Sequence, residues 1–107
     1  MAANYLPEVL ETTEAQRLST GHIFTEGPLW HPDDFWYFVD IRRNQLLKLK
    51  PGGSAEVVRT TVGGNGNTFD LQGRLINCEG EARRVTRQNL DGQVEVLIER
   101  YKGRRFA

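Results

Sequence analysis

The sequence predicts an all-β fold: a β-propeller fragment of about two four-stranded antiparallel blades. Three observations carry that prediction. Short runs rich in aromatic and β-branched residues alternate with clusters of Gly, Pro, Asn and Asp, the punctuation of strands and tight turns. The chain also repeats itself at a displacement of 39 residues, the interval from Gly27 to Gly66, which sets Trp30 on Phe69, Asp40 on Glu79 and Leu46 on Val85. Finally, 3.6-residue hydrophobic periodicity is missing, and a period of about 40 residues without it belongs to a propeller blade rather than to a helical repeat.

Taken in order, residues 1–13 have no periodicity and are expected to form a loose N-terminal arm. Residues 14–20 alternate weakly and are read as a strand that Gly21 ends. Blade one is placed at 27–60, beginning with a strand near 27–31 and a turn at Pro32-Asp33-Asp34. The apolar strand 35–40, a turn at Arg42-Arg43-Asn44, the strand 45–50, a turn at Pro51-Gly52-Gly53 and the outer strand 55–60 complete it. Val62-Gly63-Gly64-Asn65-Gly66 is read as a flexible connector, because glycine weakens a strand interior. Blade two is placed at 66–99, with strands at 67–70, 74–79, 84–88 and 94–99, and residues 101–107 are read as the start of a further blade.

Composition bounds what this fold does. The 107 residues are 38% hydrophobic and 26% charged, within the range of ordinary globular domains. Fourteen basic residues balance fourteen acidic ones, so the whole-chain electrostatic attraction that drives non-specific nucleic-acid binding is missing, and no nucleic-acid partner is expected. No apolar run is long enough to span a bilayer and Met1-Ala2-Ala3-Asn4-Tyr5 lacks the basic start of a secretory signal, so no membrane partner is expected and the predicted address is cytoplasmic. A single cysteine, Cys78, agrees with a reducing compartment, and as a repeat of Val39 it is read as a buried, unreactive thiol.

The candidate site residue is Glu26. It precedes Gly27-Pro28, a residue with nearly free φ beside one with locked φ, which makes a firm mount for a ligand. A solvated carboxylate at a strand start is its blander reading. Asn65, its equivalent in the repeat, is read as a turn residue, and His22 and His31 as surface or rim residues. The run Phe35-Trp36-Tyr37-Phe38 is read as a strand buried between sheets rather than as a base-stacking platform, since Asp33, Asp34 and Asp40 flank it with the wrong charge. The arginine pairs at 83–84 and 104–105 are expected at strand ends, partnered by Glu79, Glu81 and Glu99.

The motifs Glu26-Gly27-Pro28-Leu29-Trp30-His31-Pro32-Asp33, Val39-Asp40-Ile41, Thr68-Phe69-Asp70-Leu71-Gln72-Gly73-Arg74-Leu75-Ile76, Cys78-Glu79 and Arg83-Arg84-Val85-Thr86-Arg87 together resemble the first third of gluconolactonase-type lactone hydrolases. These belong to the senescence-marker-protein, gluconolactonase and luciferin-regenerating-enzyme-like family, and the resemblance runs over roughly residues 14–106. It implies a six-bladed propeller in which a divalent cation in the central channel serves the hydrolysis of sugar-acid lactones. Calcium is the first expectation, with zinc, magnesium or manganese as alternatives.

By the resemblance Glu26 matches the metal-binding carboxylate of the first blade, the remaining ligands come from later blades, and residues 14–20 match the strand that closes the ring. It carries no catalytic residue onto this sequence, and Gly80 stands where many relatives have a histidine. The expected function is therefore metal-dependent lactone hydrolysis by a full-length parent, this chain being an inactive N-terminal fragment whose substrate would be a small-molecule lactone. The alternative is a non-catalytic propeller scaffold or an inactive truncated product. Two blades alone leave apolar faces uncovered, so self-association is also expected.

Overall fold

A computed structural model describes residues 6–106. The first five residues of the predicted arm, and Ala107, lie outside the described residues. A single helical turn, α1 (Leu6–Val9), stands where no element was expected; four residues are too few to show a hydrophobic period. Eight strands then form two separate sheets: β1 (Thr25–His31), β2 (Phe35–Asp40), β3 (Gln45–Leu49) and β4 (Glu56–Thr60) in one, β5 (Gly64–Phe69), β6 (Leu75–Glu79), β7 (Arg84–Gln88) and β8 (Val94–Ile98) in the other. Each sheet is an antiparallel meander in sequence order, the arrangement of a propeller blade. A short hairpin of β9 (Arg100–Tyr101) and β10 (Arg104–Arg105) follows. Residues 14–20 have no strand partner among the described residues.

The 39-residue repeat extends to the backbone irregularities. Thr25 pairs with Asp40 and Gly64 with Glu79 at equivalent positions, and a bulge interrupts the first strand of each sheet close by, between Glu26 and Leu29 in one and one register position earlier, between Gly64 and Asn67, in the other. The third and fourth strands are bulged between Leu46 and Leu47 in the first sheet and between Val85 and Thr86 in the second, one repeat apart. Asn44 and Arg83, also one repeat apart, both take left-handed φ, at 53° and 56°. Equivalent bulges bend equivalent strands, so two sequences of low identity acquire the same twist.

Packing places the core between the blades. Val39, Leu46 and Leu75 are buried there, with Leu29, Tyr37, Val58 and Phe69 packed around them. Leu46 and Val39 have no exposed surface, and each contributes roughly 1.5–3 kcal/mol by leaving water. The opposite face of blade one forms its own cluster of Phe38, Leu47 and Leu49, with Trp36 and Ala55 against it. The strand 35–40 thus packs apolar side chains on both faces, as its unbroken aromatic run predicts.

Two expectations are corrected. The glycine-rich stretch before residue 67 is strand from Gly64 onward, not a connector up to Gly66. Two of its glycines answer crowding: a Cβ on Gly63 would meet the Glu81 side chain at 2.6 Å, and one on Gly64 would meet Thr61 Oγ1 at 2.7 Å. Cys78 is exposed rather than buried. Its equivalent Val39 is buried against blade two, whereas the face of blade two that carries Cys78 has no neighbouring sheet among the described residues.

Candidate functional site

Glu26 lies in β1 opposite Val39, one residue before the bulge that ends at Leu29. Both ends of this bulge are held. On the upstream side the fully buried Asp40 carboxylate accepts the N–H of Ile23 at 2.9 Å and those of Phe24 and Arg43 at 3.3 Å, which fixes the chain entering β1. Burial pushes the Asp40 carboxyl up, but these three backbone donors and the Arg43 guanidinium outweigh it and hold the group below the usual carboxylate range. Glu79 repeats the device one blade later, accepting the Val62 N–H at 2.9 Å.

On the downstream side blade two grips the bulge. Asn67 Nδ2 donates to the Gly27 carbonyl oxygen at 2.8 Å, and Asn67 Oδ1 accepts from Asn77 Nδ2 at 2.7 Å. Gly27 has φ 61°, and a Cβ there would fall on the Asn65 carbonyl oxygen. Only glycine meets both demands. Asn65 itself is a residue of β5, not of a turn, and its backbone closes against Gly27.

The Glu26 side chain is exposed, and its one hydrogen bond among the described residues comes from the Gly27 N–H at 3.4 Å. No described cation pairs with it, unlike Asp70, Glu79 and Glu95, each of which has an arginine partner. Free oxygen lone pairs on a fixed backbone fit one position in the shell of a hard divalent cation. No group of three His, Cys, Asp or Glu side chains among the described residues could hold a metal ion, so Glu26 stands alone as a candidate ligand and does not make a site. A cleft of about 580 Å³ opens beside it, between blade one and the segment 18–22, with Pro28, Trp36, Phe38 and Leu49 on its apolar wall.

His22 lines this cleft, with Nε2 hydrogen-bonded to the Ser19 hydroxyl at 2.7 Å and its ring edge-on to Phe38. His31 ends β1 at the other extreme of the strand, stacked on Phe35 at 4.3 Å, its Nδ1 accepting the Asp33 N–H. Neither imidazole joins Glu26 in a cluster. Of the arginine pairs, Arg84 reaches Glu79 as expected, whereas Arg105 donates to the Ala82 carbonyl oxygen. Sequence reasoning missed Asn67 and Asn77. The available signal was Asn77 falling on Phe38 in the repeat, a polar residue at the phase of a buried position.

Comparison with known proteins agrees with this architecture. Residues 24–106 match the sequence model of a family described as the SMP-30/Gluconolactonase/LRE-like region. The chain superposes on a gluconolactonase from Xanthomonas campestris with a TM-score of 0.76 and 33% identity, covering 82% of this chain and 30% of that one. An X-ray structure of a candidate gluconolactonase gives a TM-score of 0.75 and 29% identity over 84% of this chain and 32% of that one. The chain thus spans about a third of the length of these structures. No curated protein matches it significantly by sequence.

Proposed function

The chain belongs to the SMP-30/gluconolactonase/LRE-like family, and we propose that it supplies the first two blades of a six-bladed, metal-dependent hydrolase of sugar-acid lactones. The observation that carries this reading is Glu26: an exposed carboxylate without a cationic partner among the described residues, fixed at a bulge that both blades hold. Glu26 is one oxygen ligand of a divalent cation, with calcium the best match to a carboxylate in an adaptable shell and zinc, magnesium or manganese the alternatives. When bound, such a cation supplies Lewis-acid polarisation of a lactone carbonyl and a more acidic water.

This chain's own residues hold and orient. Asp40 fixes the entry to β1, Asn67 holds the Gly27 carbonyl, and Glu26 presents negative charge toward the cleft. The further ligands and the catalytic groups belong to the blades beyond these two. No helix among the described residues is long and apolar enough to cross a membrane, and the lone thiol of Cys78 supports a cytoplasmic address.

The test fuses this chain ahead of the remaining blades of the Xanthomonas campestris gluconolactonase and follows calcium- or manganese-dependent hydrolysis of gluconolactone. Activity is expected, and Glu26→Gln, which keeps size and deletes charge, is expected to remove most of it. Turnover and metal affinity within about threefold of the parent fusion, less than about 1 kcal/mol, refute the ligand assignment. A folded fusion that binds no metal and hydrolyses nothing favours the scaffold reading.

A further inference from the structure

We infer that Asn67, in blade two, is a positioning residue for the Glu26 carboxylate, an inference that rests on the reading of Glu26 as a metal ligand. Asn67 touches neither Glu26 nor any reacting group. It acts through Gly27, whose carbonyl oxygen it holds at 2.8 Å while Glu26 occupies the adjacent position on the bulge. A bulge carries backbone groups outside the ladder, so its orientation must be set by something else. In blade one that something is an amide from the next blade.

The side-chain network admits one orientation. Turning the Asn67 amide over would set its oxygen against the Gly27 carbonyl oxygen and its nitrogen against the Asn77 amino group. Asn77 is fully buried and directs its amino group to Asn67 Oδ1 at 2.7 Å and to the Gly66 carbonyl oxygen at 3.4 Å. Its own Oδ1 has no partner among the described residues. A buried, unpaired acceptor is costly, and such an exception asks for a reason. Fixing Asn67 is the reason the geometry offers, because the reversed Asn77 amide would set its oxygen against two acceptors, Asn67 Oδ1 and the Gly66 carbonyl oxygen.

Contact with the bulge is close as well as directional. A Cβ on Gly27 would come within 2.8 Å of Asn67 Nδ2, so the glycine and the amide are fitted to one another. The carboxylate that blade one presents is thereby held from blade two, and the ligand's geometry depends on how the two blades are seated.

The fusion described above tests this with four proteins: the parent fusion, Glu26→Gln, Asn67→Ala and Val58→Ala. Val58 packs in the interblade core and has no part in the amide network, so its truncation measures what loss of stability alone does. Calcium affinity is read by titration calorimetry on the apo fusion, melting temperature by circular dichroism, and kcat and KM for gluconolactone with calcium saturating. Asn67→Ala is expected to weaken calcium binding tenfold or more, to recover most of kcat at saturating calcium, and to exceed Val58→Ala in its effect on affinity at a comparable melting temperature. Loss of calcium binding in Glu26→Gln with unchanged affinity in Asn67→Ala overturns this inference alone. Equal weakening by Asn67→Ala and Val58→Ala also overturns it, since the amide would then be structural only. Unchanged affinity in Glu26→Gln overturns the ligand reading and this inference with it.

Discussion

Glu79→Gln is expected to destabilise the interblade junction more than any other single isosteric change. Glu79 is 1% exposed, and its carboxylate takes the Val62 N–H at 2.9 Å, the Arg84 guanidinium at 3.1 Å and the Thr86 hydroxyl at 3.3 Å. Arg59 reaches across from blade one to lie 3.6 Å from the same group. Glutamine keeps the volume but replaces one oxygen by an amino group, and each oxygen faces donors. A donor must therefore meet a donor, and two arginines lose their counter-charge. Removing one partner of a buried ion pair costs about 3–5 kcal/mol. The side chains of Arg59 and Arg84 retain 15% and 32% exposure, so partial hydration places the value at the lower end, about 3 kcal/mol. In the fusion with the remaining blades, at roughly 2–4 °C per kcal/mol for a larger domain, that lowers the melting temperature by about 6 °C or more. Urea unfolding at fixed protein concentration reads the same loss, and Arg59→Met in the Glu79→Gln background should cost less than the sum of the single changes. A Glu79→Gln stability within about 1 kcal/mol of the parent would refute the role given to the buried Glu79 carboxylate.

Three further outcomes follow from the same geometry. Because the Asp40 carboxyl is held below its ordinary value of about 3.9, the stability it contributes is present above that pH and is lost as pH falls through the lower folded value; the acid limb of stability should start below about pH 4 and flatten in Asp40→Asn. Gly64→Ala, which drives a methyl into Thr61 and Asn77, should cost stability, whereas Gly66→Ala, with ordinary φ and open space around it, should be neutral or slightly stabilising; equal melting temperatures would contradict the crowding argument. The 107-residue chain alone should hydrolyse no gluconolactone and should associate or precipitate, because β8 is exposed along its whole length with Val94, Val96, Leu97 and Ile98 uncovered; a monodisperse, cooperatively folding monomer in sedimentation would contradict this.

The strands were legible because turns and apolar runs repeat at one interval, which also carries the bulge between the third and fourth strands of each sheet. Glu26 was legible as a mount because Gly27-Pro28 declares unusual backbone geometry locally. What remained hidden depends on neighbours distant in sequence. Gly64 reads as flexible until Thr61 and Asn77 are seen to close on it. Cys78 reads as buried because its repeat equivalent is, yet burial belongs to a face and its neighbour rather than to a residue type. Asn67 and Asn77 carry no motif; their role exists only once two sheets face each other.

The two faces that meet between the blades also give each blade a fixed place in the order. Blade two turns Leu75, Asn77 and Thr86 toward blade one, where the equivalent residues of blade one are Trp36, Phe38 and Leu47. A duplicate of blade one seated in the second position would offer no amide to the Gly27 carbonyl and no hydroxyl to Arg59, so each partly buried group would lose a hydrogen bond. Divergence between the repeats thus acts as an address: the common backbone makes the blades stackable, and the unlike side chains decide which one may follow which.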